Sequence, residues 1–369
     1  MSREEDIRFM RMALEEAEKG RGFTNPNPMV GAVIVRDGKV LSKGYHHRCG
    51  EGHAEVEAFR AAGDQDVTGA TMYVTLEPCS HYGKTPPCAD KIIEKKIGRV
   101  VVAALDPNPL VAGNGIRKLQ EAGIEVETGL LADESIRLNE IFMHYIVDKD
   151  PFVLYKSAMS LDGKIATADG ESQWISCEAS REEVQQLRHQ YMGIMVGSGT
   201  VLKDDPRLTC RIPGGLDPAR IVVDSRLRIP TDSVLVRTAK EVTTIVACTS
   251  EAPVDKIEVL EDAGVKVLIV GEKDGHVDLK DLMEEIGKMK IDSILLEGGG
   301  TLADAAFRAG IIDKVQFYIA PEIIGGAAAK TPVGGIGAGR LSDAAVIENM
   351  TVRPVGCDIC ISGYVRQES

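Results

Sequence analysis

No apolar run in this sequence approaches the ~20 residues a membrane-crossing helix needs, so a membrane-embedded protein is not expected. The opening Met1-Ser-Arg-Glu-Glu-Asp-Ile7 is too acidic and too polar for a secretory leader, and the expected location is the cytoplasm. No basic stripe stands out, because lysines and arginines are scattered among acidic residues. The formal net charge of −13 then disfavours extended binding to DNA or RNA, while a small phosphorylated metabolite remains a feasible partner. Aromatic residues are scarce at 4%, and Trp174 is the single tryptophan. There is neither an internal repeat nor a low-complexity tract. With no leader, the eight cysteines are expected to stay reduced, as ligands or buried packing and not as four disulfides.

What is present suits two globular domains. A chain of 369 residues, 44% hydrophobic and 27% charged, can bury two ordinary cores. Ile7, Met10, Ala13, Leu14 and Ala17 recur at helical spacing until Gly20. Runs at 30–35 and 40–42 flank Arg36-Asp37-Gly38-Lys39 as a hairpin. Helices are expected near 53–62, 88–96 and 115–122, and strands at 71–76, 100–105 and 124–128. A second α/β pattern starts near Pro151, with strands at 152–159, 194–196, 221–223, 244–247, 265–270 and 294–296 and helices at 180–191, 278–289 and 301–309. The boundary is placed at Val147-Asp-Lys-Asp150, giving domains 1–147 and 151–369 joined by a short linker.

Three fragments of the first half carry metal chemistry: Gly52-His53-Ala54-Glu55, Leu76-Glu77-Pro78-Cys79-Ser80-His81 and Thr85-Pro86-Pro87-Cys88. One imidazole and two thiolates from His53, Cys79 and Cys88 form a donor set zinc prefers, and three protein ligands leave its fourth position open. Water in that position can reach a pKa near ~7. Glu55, two residues from His53, can take a proton from that water and pass it to a departing amine. Each fragment is expected at a helix N-terminus, where the dipole favours a thiolate. The plain alternative is a closed structural zinc site, with Cys49 or His46 as fourth ligand. His46 and His81 are instead expected to line a substrate pocket, as is Asn27. Cys357-x-x-Cys360 lies in a strand-like tail without partner histidines and reads as packing.

The His-x-Glu…Pro-Cys pattern resembles cytidine-deaminase-like zinc enzymes. Here the cysteines are separated by eight residues, Ser80 to Pro87, where two is commonest. With Thr24-Asn-Pro-Asn-Pro28, Val30-Gly31 and Asp106-Pro-Asn-Pro109, that insertion resembles the deaminase half of the bifunctional riboflavin-biosynthesis deaminase–reductase family, over residues 5–145. Lys84 and Asn114 depart from the Arg and Lys frequent in relatives, which bears on phosphate contacts and not on the metal.

In the second half, Lys156 to Thr167, Gly170-Glu-Ser-Gln-Trp-Ile-Ser176, Val196-Gly-Ser-Gly-Thr200, Asp204-Asp-Pro-Arg-Leu-Thr209 and Leu295-Leu-Glu-Gly-Gly-Gly-Thr301 are the informative segments. Glycines at a strand-to-helix turn let backbone N–H groups approach a phosphate at a helix N-terminus, although such a cluster is also an ordinary tight turn. It is not the G-x-G-x-x-G fingerprint. Together these segments are similar to the reductase half of the same family over residues 151–367, whose fold is related to dihydrofolate reductase. The resemblance implies an NADPH site formed by Ala158, Trp174, Thr200, Asp204, Ser225, Gly299 and Gly300. It implies substrate contacts from Ser172, Arg188, Leu208, Arg211 and Glu297, with Arg188 and Arg211 suited to a ribose phosphate because a guanidinium fork matches phosphate oxygens. A helix-surface charge is the other reading of Arg188. Lys156, Asp204 and Glu297 are candidates for polarising or protonating the ring-opening ribose, with structural ion pairs as the alternative. Arg226 is placed to meet the cofactor's 2′-phosphate.

The implied whole is an α/β protein with a cytidine-deaminase-like domain followed by a dihydrofolate-reductase-like domain. It would bind Zn2+ and NADPH, act on a small phosphorylated pyrimidine, avoid nucleic acid and membranes, and assemble as a homo-oligomer. Two other classes are weighed against it: a nucleic-acid or nucleoside deaminase with an accessory domain, and a noncatalytic zinc-stabilised ligand-binding protein. The acidic charge and the cysteine spacing oppose the first, and the intact Glu55 opposes the second.

Overall fold

The computed structural model describes residues 2–80, 86–108 and 112–366. The chain divides into two compact units, Met1–Lys149 and Asp150–Ser369. No helix among the described residues is long and apolar enough to cross a membrane.

The first unit opens with α1 (Arg3–Glu18), begun by a capping box in which the Ser2 hydroxyl accepts from the Glu5 N–H and Glu5 accepts from the Ser2 N–H. The hairpin β1 (Gly31–Arg36) and β2 (Lys39–Tyr45) turns through Asp37 and Gly38, both at positive φ, as a two-residue hairpin turn of this hand requires. Then come α2 (Ala54–Ala62), β3 (Thr71–Leu76), α3 (Cys88–Glu94), β4 (Arg99–Ala104), α4 (Asn114–Glu121), β5 (Glu125–Thr128), α5 (Ala132–Leu138) and α6 (Glu140–Asp148). The sheet order is β2-β1-β3-β4-β5, with β3, β4 and β5 parallel.

Alternate strand residues feed opposite faces. Ala32, Ile34, Met72 and Val74 pack with Ala54 and Ala58 of α2, whereas Val33, Val35 and Tyr73 pack with Phe9, Met10 and Ala13 of α1. Cover on both faces is why these strands read as unbroken apolar runs. Two glycines allow the close approach. A Cβ on Gly31 would stand 2.0 Å from the Ala13 carbonyl oxygen, and one on Gly44 would stand 2.2 Å from the Ala58 nitrogen.

The second unit runs β6 (Phe152–Ser160), α7 (Glu178–Gln190), β7 (Gly193–Gly197), α8 (Ser198–Asp204), β8 (Ala219–Val223), α9 (Val234–Arg237), β9 (Thr244–Cys248), α10 (Val254–Asp262) and β10 (Lys266–Ile269). A small pair, β11 (Glu272–Lys273) and β12 (His276–Val277), precedes α11 (Leu279–Lys288), β13 (Ser293–Leu296), α12 (Gly300–Ala309), β14 (Lys314–Ala320), β15 (Ile347–Val355) and β16 (Asp358–Val365). The nine-stranded order is β10-β9-β8-β7-β13-β6-β14-β16-β15, parallel from β10 to β14 and antiparallel at β16 and β15. Met195, Ile221 and Ile245 join the core under α11 and α12, while Ile194, Val196, Val222 and Val246 join the one on the other face. Ligands bind such sheets beyond the carboxyl ends of the parallel strands. Ser198, Ser225 and Glu297 follow β7, β8 and β13 at those ends.

Candidate active sites

In the first unit, β3 and the starts of α2 and α3 bring three donors together. His53 is the N-cap of α2, and Cys88 is the first residue of α3. Cys79 differs from the expectation: it lies in the segment leaving β3, at no helix N-terminus among the described residues, and receives the Cys88 backbone N–H at 3.3 Å instead. His53 Nδ1 stands 3.5 Å from Cys79 Sγ and 3.3 Å from Cys88 Sγ, and all three donor atoms lie within 4.8 Å of one another. Hydrogen bonding from Cys88 lowers the Cys79 thiol to about 4 in spite of burial, with His53 adding to the effect. The partnership with Cys79 raises His53 to about 9. Two thiols and an imidazole thus share protons that a thiophilic divalent cation would displace, so the donor set fits zinc.

Glu55 is buried in the first turn of α2, 3% exposed. Burial first, and then repulsion from Cys79, pushes its carboxyl up to about 7, a value suited to taking and giving a proton at neutral pH. His46 is buried with its ring edge-on to His53, 5.7 Å between centroids. Burial holds His46 below its ordinary pKa. In the neutral ring, Nδ1–H donates to the Gly52 carbonyl at 3.0 Å, which leaves Nε2 to accept from the Asn27 amide at 3.2 Å. The fold therefore brings Asn27 and His46 together beside the donor cluster. His81 and Lys84 lie outside the described residues, as does Pro109 of the second Asn-Pro segment.

Two polar clamps were not anticipated from the sequence. Asn139, between α5 and α6, accepts from the Met29 N–H at 2.7 Å and donates to the Met29 carbonyl at 2.9 Å, fixing the end of the loop that carries Asn27. Buried Glu77 accepts the N–H groups of Asp106, Gly113 and Gly115 and so gathers the loop after β4. Gly115 has to be glycine there, because a Cβ would stand 2.0 Å from the Pro78 carbonyl oxygen. Glu77 sits inside the Leu-Glu-Pro-Cys segment, but nothing local in that segment points to residues 106–115.

In the second unit, Lys156 of β6, Arg188 of α7 and Glu297 after β13 form one charged cluster. Lys156 Nζ lies 3.0 Å from Glu297 Oε2, and Arg188 reaches Glu297 through Nε at 2.9 Å and Nη2 at 3.0 Å. Arg188 Nη1 donates to the Thr209 carbonyl at 3.1 Å. Its fork is thus spent on protein partners. Burial pushes Glu297 up, but Lys156 and Arg188 outweigh it and hold the carboxyl at about 2. Arg211 is exposed, and only its backbone N–H, donated to Gln185, has a partner among the described residues. Leu208 packs into the core with Val196 and Val222 and has positive φ. Asp204 is exposed at the end of α8, and no hydrogen bond or ion pair joins it to Lys156 or Glu297 among the described residues. Ser172 is half-buried and Trp174 exposed, with the Arg181 guanidinium 4.9 Å from the Trp174 ring.

A cavity of about 630 Å³ opens at the ends of β7 and β8, against α12, and its lining includes Gly197, Ser198, Ser225, Arg228, Lys280 and Thr301. Ser198 Oγ accepts from Arg228 at 2.7 Å, and Ser225 Oγ accepts from the Val277 N–H at 3.1 Å. A Cβ at Gly199 or Gly299 would meet only open space, whereas one at Gly300 would stand 2.8 Å from the Gly334 nitrogen. Gly299 thus faces open space at the N-cap of α12, while Gly300 serves packing. Thr200 lies half-buried in the first turn of α8, and Ala158 packs near Tyr318. The size, the cations and the backbone N–H groups at the α12 N-terminus suit a phosphate-bearing dinucleotide. Arg226 is exposed and absent from the lining; Arg228, two residues on, lines the cavity, as does Arg308 of α12.

These features define a zinc deaminase unit of the cytidine deaminase type followed by an NADPH-dependent reductase unit related to dihydrofolate reductase. Residues 3–104 match the cytidine and deoxycytidylate deaminase zinc-binding region, and residues 151–361 match the RibD C-terminal domain. The chain is 49% identical to the riboflavin biosynthesis protein RibD of Actinobacillus pleuropneumoniae, covering 98% of this chain and 95% of that one. To the RibD of Escherichia coli (strain K12) it is 43% identical, covering 97% and 98%. Among solved structures, Acinetobacter baumannii RibD superposes with a TM-score of 0.87 at 37% identity over 99% of this chain and 100% of that one. The Thermotoga maritima diaminohydroxyphosphoribosylaminopyrimidine deaminase/5-amino-6-(5-phosphoribosylamino)uracil reductase gives 0.86 at 34% identity over 99% of both. The chain belongs to the RibD family, the bifunctional deaminase–reductases of riboflavin biosynthesis.

Proposed function

We propose that the first unit deaminates 2,5-diamino-6-(5-phosphoribosylamino)pyrimidin-4-one at C2, and that the second reduces the ribosyl chain of the product to ribityl, giving 5-amino-6-(5-phosphoribitylamino)uracil. The observation that carries the deaminase assignment is the buried Glu55, poised near neutrality beside the convergent His53, Cys79 and Cys88. Those three would hold zinc, which when bound acidifies water at neutral pH. Glu55 takes the water proton and delivers it to the leaving amine. Asn27 and neutral His46 bind the pyrimidine edge.

In the second unit the cavity lined by Ser198, Gly199 and Ser225 would hold NADPH, with Thr200, Asp204 and Gly299 contacting it from the adjoining turns and Ala158 and Trp174 toward the nicotinamide; the cofactor when bound supplies hydride. Arg228 meets the 2′-phosphate. Lys156 donates the proton to the ring-opening ribose, and Glu297 keeps that ammonium charged and oriented. Arg188 locks Glu297, which leaves the ribose phosphate to Arg211, with Ser172 and the Leu208 backbone at the sugar. The chain works in the cytoplasm as a homo-oligomer, an assembly supported by the exposed apolar residues Met350 and Val352 on edge strand β15 and checked by sedimentation.

Product mass tests the whole. Zinc-loaded protein with the diamino substrate should give a product heavier by about 1 unit without NADPH, and by roughly a further 2 units with it, as amine-to-carbonyl exchange and hydride plus proton transfer require. An unchanged mass without NADPH would remove the deaminase assignment.

A further inference from the structure

The cysteines outside the zinc cluster are not equivalent. Cys248 and Cys360 are buried in core clusters, and Cys49 and Cys210 have no second thiol among the metal-competent groups of the described residues. Cys177 and Cys357, 180 positions apart in sequence, place their sulfurs and an Asp358 carboxylate oxygen within 4.8 Å of one another. Cys177 is the N-cap of α7, a helix of 13 residues. Cys357 is exposed in the two-residue turn Gly356-Cys357 that closes the β15–β16 hairpin, where Val355 pairs with Asp358.

The two sulfurs are held in place by the backbone around them. Buried Asp358 accepts the Cys177 N–H at 2.8 Å and the Ser180 hydroxyl at 2.6 Å, so the base of α7 is tied to the hairpin. Cys177 Sγ lies 3.2 Å from the Val355 carbonyl oxygen and 3.5 Å from Ser180 Oγ. Gly356 has positive φ, and a Cβ there would stand 2.9 Å from Cys177 Sγ, so the turn is bare on the side facing that sulfur. Burial raises the Cys177 thiol, but the Ser180 hydroxyl and the N–H groups of Ser180 and Cys357 outweigh it and bring the thiol below its ordinary value. Burial and the neighbouring Cys177 push Cys357 the other way. One thiol is thus the better nucleophile, and the other is accessible to follow it.

We propose that Cys177 and Cys357 are a reversible dithiol–disulfide couple, oxidised by low-molecular-weight disulfides. Cys177 thiolate attacks one sulfur of the small disulfide, and the other sulfur leaves as a thiolate. Cys357 then gives up its proton and attacks Cys177 Sγ, expelling the second small thiol. The Cys177–Cys357 bond forms, two protein thiols are oxidised, and one small disulfide is reduced to two thiols. The product fastens the start of α7 to the hairpin turn, directly downstream of the segment that carries Ser172 and Trp174. Zinc is the competing use of the same sulfurs, since two thiolates and a carboxylate could also hold it.

The test treats zinc-loaded protein with oxidised glutathione, blocks the remaining thiols with N-ethylmaleimide and maps the peptides by mass spectrometry. The expected result is one cross-linked pair, Cys177 with Cys357, lighter by two hydrogens than the separate reduced peptides and undone by dithiothreitol. In Cys357→Ser, Cys177 should accumulate as a stable glutathione mixed disulfide, because the resolving thiol is gone. The proposal is overturned if both cysteines remain labelled by N-ethylmaleimide. It is equally overturned if each carries its own glutathione, or if a second zinc per chain protects both and a chelator is needed to expose them.

Discussion

Two glutamates, one in each unit, are largely withdrawn from solvent and yet titrate on opposite sides of the ordinary carboxylate value. At Glu55 burial and the nearby Cys79 thiolate outweigh the pull of the His53 imidazole and lift the carboxyl to about 7. Glu297 sits against Lys156 and Arg188, which hold it at about 2 in spite of burial. Burial alone therefore does not set the role of a carboxylate; its partners do. The deaminase unit keeps a carboxyl that can change protonation during the reaction, and the reductase unit keeps one that stays charged and orients an ammonium.

The largest effect should come from breaking the metal set. In Cys88→Ser most of the zinc and nearly all deamination should be lost, because a hydroxyl is a poor soft ligand. Full zinc occupancy by elemental analysis would refute the assigned ligands. Next is Glu55→Gln, which keeps the shape and the metal while deamination falls by at least ~10²–10⁴-fold. Reduction of supplied deaminated intermediate should be nearly unchanged, and NADPH oxidation should fail from the diamino substrate but return when intermediate is added. Loss of both activities in a folded, zinc-loaded protein would mean that the two sites are coupled.

The contrast sharpens with Glu297→Gln. Removing one partner of a buried ion cluster strands Lys156 and Arg188, at a cost of about 3–5 kcal/mol in urea unfolding of the reductase unit. The pH dependence has a definite sign. The carboxyl is depressed from 4.5 to about 2, so its stabilisation is complete above pH 4.5 and disappears as pH falls through 2. The wild-type advantage over Glu297→Gln should therefore shrink below pH 4.5; an advantage that is flat from pH 6 to pH 3 would contradict the ion cluster. The smallest effect concerns the cofactor. Arg228→Ala should weaken NADPH by roughly 1.5–3 kcal/mol while leaving NADH unaffected, as for loss of a hydrogen bond to a charged group. Arg226→Ala should change neither, and the reverse result would return the 2′-phosphate to Arg226.

The two sites also differ in how far the sequence disclosed them. His53, Glu55, Cys79 and Cys88 fall within one short stretch, and helix starts at His53 and Cys88 fix the direction of two of the three candidate donors, so spacing carried the geometry. Lys156, Arg188 and Glu297 come from three distant segments. Their meeting depends on β13 lying between β7 and β6, an order that no local pattern encodes. The same ignorance of pairing made Arg188 look free for phosphate. Strands buried on both faces were legible as apolar runs, whereas α5 and α6 were not, because Asn139 breaks their pattern into two short pieces. Leu208 was named for substrate, yet its side chain belongs to the core.

The paired hydrogen bonds between Asn139 and Met29 set a minimum length for the catalytic body of the deaminase. The zinc-binding region that relatives share ends at residue 104, and a fragment cut there would retain every metal donor and Glu55. It would still have lost the side chain that stands in for a neighbouring strand at Met29, and with it the tether on the loop that presents Asn27 to His46. Zinc content and substrate grip should therefore part company under truncation, with the metal retained by a piece too short to hold the pyrimidine.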